Sequence, residues 1–251
     1  MDRTVLRARS PPSPMFIHTE YHPPPPMKIT QQNNPNMKFS MLTQTHDQIN
    51  ALKAKCNNNS GKGGNKLTYS TYEVLAGHVW RCVSIARGLP DDQETNLHIA
   101  VDGRSRMKLP SLPKGYFGNV VFLAAPVSTC GELRSNPLSF AAGKIHDTLT
   151  RMNDEYLRSA LDYLETCDAS AIMLGPHTYK CPNHGIINWV MLPFYEADFG
   201  WGKPIFVGPG SPTSEGKCYV LQSPKNDGGL VYAISLPKEQ MELLEELLCD
   251  I

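Results

Sequence analysis

Residues 198–202 read Asp-Phe-Gly-Trp-Gly, followed by Lys203-Pro204. Two glycines in five residues permit backbone geometry closed to other residue types, and Phe199 and Trp201 supply apolar surface beside the Asp198 carboxylate. A carboxylate in such a turn suits a structural pairing rather than proton transfer. Two other spacings invite chemical readings and fail on context. Cys181-x-x-His184 has the spacing of metal ligands, but no second pair accompanies it. Ser60-Gly61-Lys62-Gly63-Gly64 hints at a phosphate-binding loop, but the first glycine of that pattern is missing and no strand precedes it. Residues 57–66 therefore read as a flexible linker.

The elements that would position these groups follow from periodicity. Ser70 or Thr71 caps a helix running to about Arg87, with Glu73 in its first turn and Gly88-Leu89-Pro90 ending it. Residues 138–165 form the longest helical pattern. Ile145, Leu149, Met152, Tyr156, Leu157, Leu161 and Leu164 recur at three or four, with Asp147, Arg151, Asp154 and Glu155 opposite. Pro237 opens a last helix with the stripe Met241, Leu244, Leu247 and Leu248. A helix is also expected over 41–55, with Thr45 or Asp47 as cap. Strands are expected at 96–101, 119–126, 186–193, 218–222 and 230–236. The run Pro11, Pro12, Pro14 and Pro23 to Pro26 lacks amide donors and is expected to be extended and solvent-facing. Helices alternating with strands, some strands apolar on both faces, imply an α/β fold with a mixed sheet and helices packed on it.

Composition narrows the function classes. The 251 residues carry 24 basic and 24 acidic side chains, so the formal net charge is zero. Nucleic-acid and membrane-surface binders need a basic excess, and neither partner is expected. No apolar run approaches the ~20 residues that span a bilayer, and the N-terminus does not read as a signal peptide. Seven scattered cysteines, odd in number and without a Cys-x-x-Cys pair, read as reduced thiols of a cytoplasmic protein. No metal is expected.

The pentapeptide 198–202 is similar to the C-terminal signature of the plant BAHD acyl-CoA-dependent acyltransferases. Further blocks carry the resemblance: residues 2–9, Thr71 to Arg81, Asp102-Gly103-Arg104-Ser105-Arg106 and Gly115-Tyr116-Phe117-Gly118-Asn119. Residues 88–95 and 156–163 look most like the shikimate or quinate hydroxycinnamoyltransferases. The resemblance implies a fold like chloramphenicol acetyltransferase, two similar α/β domains with the active site between them. Residues 1–21 would end the first domain, 22–69 would cross over, and 70–251 would form the C-terminal acyltransferase domain. The implied reaction moves a hydroxycinnamoyl-type group from CoA to an alcohol or amine. Acyl-CoA is then a co-substrate, no cofactor is retained, and the other partner is a small-molecule acceptor.

Acyl transfer needs a base for the acceptor and donors for the tetrahedral oxyanion. The family's base is the His of a His-x-x-x-Asp-Gly block, which the resemblance places before residue 1 of this chain. The one match here, His98-Ile99-Ala100-Val101-Asp102-Gly103, lies in an expected strand and reads as a decoy, a surface histidine. The resemblance casts Asp198 as mainly structural, paired with Arg104, and Trp189 as an oxyanion donor. It places Ser70, Thr71 and Tyr72 at the CoA pocket, although capping alone explains Ser70 or Thr71 equally well. Leu174 stands where shikimate-type relatives carry a carboxylate-binding Arg, and Ile187 where they carry Thr. An alkyl chain cannot replace a bidentate contact, so shikimate and quinate are doubtful acceptors. Two readings remain: an acyltransferase represented by its later half, or a non-catalytic acyltransferase-like protein that binds CoA or partners. Either way, a half-structure exposes a normally covered interface, which favours self-association.

Overall fold

Ser70 starts the central helix through a reciprocal local contact. Its hydroxyl accepts from Glu73 N–H while the Glu73 carboxylate accepts from Ser70 N–H at 2.6 Å, closing a capping box. In the computed structural model, which describes residues 4–29, 36–58, 67–168, 176–210 and 214–250, this helix, α2, runs over Thr71–Ala86 and lies against a seven-stranded mixed sheet. The strands are β1 (Met37–Gln44), β2 (Glu94–Asp102), β3 (Val121–Ala124), β4 (Val127–Thr129), β5 (His184–Asn188), β6 (Lys217–Gln222) and β7 (Leu230–Pro237). Their order is β1-β7-β6-β5-β2-β3, with β4 on the start of β2. The β2–β5 and β5–β6 pairs are parallel and the others antiparallel. The remaining helices are α1 (His46–Asn58), α3 (Cys130–Ser135), α4 (Leu138–Arg151), α5 (Asp154–Thr166) and α6 (Lys238–Cys249).

One sheet face carries the core. Trp80, Val74 and Val79 of α2, Leu97 and Ile99 of β2, and Tyr232 and Ile234 of β7 are buried together. Gly77 lets α4 approach α2 closely, since a Cβ there would meet Ala142 N at 3.0 Å. Among the described residues the opposite face carries a smaller buried apolar cluster, Leu221, Val231 and Ala233, with Trp189 and Tyr219 packed on it, and buries His98 against Tyr179. Met37, Phe39 and Met41 of β1 belong to that second face, because Met41 stands opposite Ala233 and Phe39 opposite Ser235. All three are exposed.

Three local expectations change. The helix expected from residue 41 begins at His46, because Met37–Gln44 pair along their whole length with β7. Thr45 does cap it: its hydroxyl accepts from Gln48 N–H at 3.2 Å and Gln48 Oε1 accepts from Thr45 N–H at 2.9 Å. The long pattern over 138–165 is two helices, since Asn153 Oδ1 takes the Tyr156 N–H at 3.0 Å and starts α5. The proline-rich start is solvent-facing at Pro11, Pro12 and Pro14, yet His18, Glu20 and Tyr21 just beyond are buried. Arg9 Nε donates to Asp162 Oδ2 at 2.6 Å, the Met15 N–H to Ser159 Oγ at 2.8 Å, and Tyr156 Oη to Glu20. Residues 9–20 are thereby pinned along α5.

Candidate functional site

The turn at 198–202 follows from its glycines. Gly200 and Gly202 take φ values of 95° and 94°, a region that favours glycine. Asp198 Oδ1 accepts the N–H of Gly200 at 2.8 Å and of Gly202 at 3.1 Å, so the carboxylate holds its own turn together. Asp198 is exposed, as are Phe199 and Trp201, the latter at 93%. The expected Arg104–Asp198 pair is not formed. Arg104 Nη1 donates to Asp102 Oδ1 at 2.9 Å and Nη2 to Gly118 O at 2.6 Å, so a partner two residues away holds the guanidinium.

Trp189 lies just past the end of β5, its ring edge-on to Phe194 at 5.3 Å and to Tyr219 at 4.9 Å. Its backbone N–H donates to Val220 O at 2.9 Å. The indole N–H has no hydrogen-bond partner among the described residues. Ile187 is half-buried, stands beside Tyr219 in register and shares the Trp189 face by strand alternation. Ile187 and Trp189 therefore share the sheet face opposite the main core. Leu174 lies outside the described residues. Ser70, Thr71 and Tyr72 sit at the N-terminus of α2, in the helical layer. The Ser70 side chain is used in capping, and the Tyr72 hydroxyl is buried without a partner. Burial pushes the Tyr72 phenol far up, with a smaller push from Cys218, so it stays protonated. No hydrogen bond or ring contact joins these three residues to the Trp189 group among the described residues.

His98 is buried, not at the surface as expected. Leu97 and Ile99 beside it are also buried, and Asn183 Nδ2 meets its Nε2 at 3.4 Å. Burial lowers its pKa to about 4, so the ring is neutral at pH 7. Asp102 is four residues along the same strand, roughly 13 Å away at ~3.3 Å per residue, and ion-pairs with Arg104. The two cannot act as a hydrogen-bonded pair. His184 is buried with both ring nitrogens unpartnered, and burial followed by the nearby Arg87 charge lowers its pKa to about 3. Among the described residues no group of three or more His, Cys, Asp or Glu is placed to hold a metal ion, and no helix is long and apolar enough to cross a membrane. The sequence reading missed the Arg9–Asp162 and Glu20–Tyr156 contacts. The only signal was Asp162 on the inner side of an otherwise amphipathic helix.

A seven-stranded mixed sheet with helices packed on one face, followed in sequence by a glycine-held aromatic turn after β5, describes half of a chloramphenicol acetyltransferase-like fold. Comparison with known proteins agrees. The TRI101 crystal structure from F. sporotrichioides, complexed with Coenzyme A and T-2, superposes with a TM-score of 0.75 over 97% of this chain and 54% of that one, at 22% identity. A Transferase family model matches residues 1–249. The shikimate O-hydroxycinnamoyltransferase of Nicotiana tabacum is 54% identical over 257 residues, covering 100% of this chain and 58% of that protein. The rosmarinate synthase of Plectranthus scutellarioides is 47% identical over 251 residues, covering 100% and 57%. The chain belongs to this Transferase family, the BAHD acyltransferases. It spans rather more than half the length of these curated relatives.

Proposed function

We propose that these residues form the C-terminal part of an acyl-CoA-dependent acyltransferase that moves a hydroxycinnamoyl-type group to an alcohol or amine. The similarity of the whole of this chain to 58% of a hydroxycinnamoyl-transferring relative carries this reading. In it, 1–21 end a preceding domain, 22–69 cross over and 70–251 form the second domain, with β1 of the crossover joining the sheet. Acyl-CoA is a co-substrate, approaching along Ser70, Thr71 and Tyr72, where helix N–H groups favour anionic or amide oxygens. Trp189 donates its free indole N–H to the tetrahedral oxyanion, an interaction made mainly in the transition state. Asp198 is structural, holding the aromatic turn through Gly200 and Gly202. The base comes from a His-x-x-x-Asp segment outside these 251 residues, because His98 is buried away from any acceptor and burial lowers its pKa to about 4, which makes it a weak proton acceptor. The protein works in the cytoplasm.

The acceptor is a neutral alcohol, phenol or amine rather than shikimate, because the sequence has Leu174 and Ile187 at positions where carboxylate-binding relatives are expected to carry Arg and Thr, and an alkyl residue offers no charge-assisted donor. The relatives' own names already differ here, one carrying shikimate and the other rosmarinate. The test joins this chain to the N-terminal region of the tobacco relative and compares shikimate with a neutral phenol. A Leu174→Arg plus Ile187→Thr variant should raise kcat/KM for shikimate relative to the phenol by about 30-fold or more. An unmodified hybrid that already prefers shikimate would show that another group binds the carboxylate.

A second reading is a non-catalytic, CoA-binding or self-associating protein. The burial of His98 favours it, together with the uncovered face at Met37, Phe39 and Met41, which would pair two copies.

A further inference from the structure

The strand order of the sheet ends in β1 on one side and β3 on the other. β3 is short, Val121–Ala124. β1 is twice as long and pairs with β7 without a bulge, from Met37↔Pro237 to Gln44↔Leu230. Among the described residues no strand pairs with the other side of β1. Which backbone groups face that open side follows from the ladder. Antiparallel neighbours alternate between pairs that exchange hydrogen bonds and pairs that do not. Asn36 O accepts the Lys238 N–H at 2.8 Å, one step before Met37↔Pro237, and Pro237 has no N–H to exchange. The even-numbered residues of β1 therefore bond to β7. The N–H and C=O groups of Met37, Phe39, Met41 and Thr43 point to the open edge.

Sheet edges are commonly guarded by a very short strand, an exposed lysine, a proline or a bulge. β3 is guarded by its shortness. β1 is not guarded: no proline lies in 37–44 and the register is unbroken. Its one charge, Lys38, turns to the core face and donates to Glu245 Oε1 at 2.8 Å, where Ser40 Oγ also donates at 2.9 Å. The side chains of Met37, Phe39, Met41 and Thr43 lie on the other face and are exposed. The strand is complementary to itself. An antiparallel copy must join odd-numbered residues to odd-numbered ones, since those carry the free groups. A two-fold axis at Ser40 sets Met37 opposite Thr43 and Phe39 opposite Met41, each twice, so all four residues find partners. Moving the axis to Phe39 or Met41 strands Thr43 or Met37. With the axis at Ser40, each Phe39 ring meets the Met41 thioether of the other copy, a favourable sulfur–aromatic pairing. The chain's net charge is zero, so no overall repulsion opposes a second copy.

We propose that two copies of this chain join their β1 strands antiparallel about a two-fold axis at Ser40, making one continuous sheet. The seam lies three strands from β5, so the inference holds whether or not the chain takes part in acyl transfer. It differs from stacking of the uncovered faces, which would leave both β1 edges open.

The test is sedimentation equilibrium of the 251-residue chain, together with disulfide trapping in a Cys249→Ser background that removes the exposed thiol. Expected is a monomer–dimer equilibrium. Met41→Pro removes an outward N–H and no bond to β7, and the two-fold axis removes it twice. It should weaken the dimer at least about tenfold while a urea titration shows the chain still folded. Ser40 stands opposite its own copy in a pair that exchanges no hydrogen bonds, with Cα atoms ~4.5 Å apart and so within disulfide range. Ser40→Cys should give a covalent dimer on air oxidation. Thr43 lies roughly 20 Å along the seam from its copy, so Thr43→Cys should not. A dimer unaffected by Met41→Pro, or linked as readily through Thr43→Cys as through Ser40→Cys, would overturn the proposal in favour of stacked faces. A chain that sediments as a monomer at every concentration would overturn it and leave the edge to an extended peptide of another protein.

Discussion

Three of the buried histidines, His78, His98 and His184, should make the chain acid-labile above the usual carboxylate range. Burial lowers the pKa of His78 to about 4, His98 to about 4 and His184 to about 3. For His78, contacts with Arg81 and Lys55 lower it further, while the Leu248 backbone and Asp250 pull upward. In the unfolded chain each titrates near 6.5. Above that pH both states hold neutral rings and the histidines add no pH dependence. As the pH falls below 6.5 the unfolded state binds protons that the folded state refuses, so stability declines toward pH 3 to 4. Each histidine contributes a slope of about 1.4 kcal/mol per pH unit. Two units below 6.5, three histidines together cost roughly 8 kcal/mol, comparable with the ~5–15 kcal/mol total of a typical domain. Urea unfolding from pH 7.5 to 4.5, followed by fluorescence of the fully buried Trp80, reads this directly. The midpoint should hold down to about pH 6.5 and then fall. His184→Gln should remove about one third of the slope, whatever it does to stability at neutral pH. A flat profile between pH 6.5 and 4.5, or an unchanged slope in the variant, would refute the reasoning.

Asp198→Ala removes two hydrogen bonds in an exposed turn, so it should cost only about 1 kcal/mol and leave the fold intact in a urea titration. Asp162→Ala should cost far more, about 3 kcal/mol or above, because it strands Arg9 and frees the backbone N–H groups of Arg9 and Ser13; limited proteolysis should then cut within residues 9–20. Burial alone would raise the Asp162 pKa, but those donors hold it below the usual range, so the contribution is present at neutral pH and lost as the pH falls through the folded value. Phe39→Lys should shift the chain toward monomer in sedimentation, since it charges the uncovered face beside Met37 and Met41.

What was legible in the sequence was local. The Ser70 cap needs only Glu73 three residues on, and the α6 stripe needs only its own spacing. The β1 strand was hidden because it pairs with β7 near the other end of the chain and its Met, Lys, Ser and Gln residues have little strand preference. The break at Asn153 was hidden because the apolar spacing continues through it. At the site, the glycine-held turn could be read from its residue types, but the partner of Arg104 could not. A local carboxylate, Asp102, competes for that guanidinium and wins. The burial of His98 depends on Asn183 and Tyr179, far along the chain, which no spacing rule brings together.

In the proposed reading these residues supply the acyl-CoA and oxyanion side of an acyltransferase, and the base lies outside them. The direct measurement is CoA release from p-coumaroyl-CoA with a phenolic acceptor, by this chain alone and by the same chain joined to the N-terminal region of the tobacco relative. Negligible turnover is expected from the chain alone and acyl transfer from the joined protein, reduced by Trp189→Phe in kcat more than in KM. Turnover by the chain alone that vanishes in His98→Ala would contradict it.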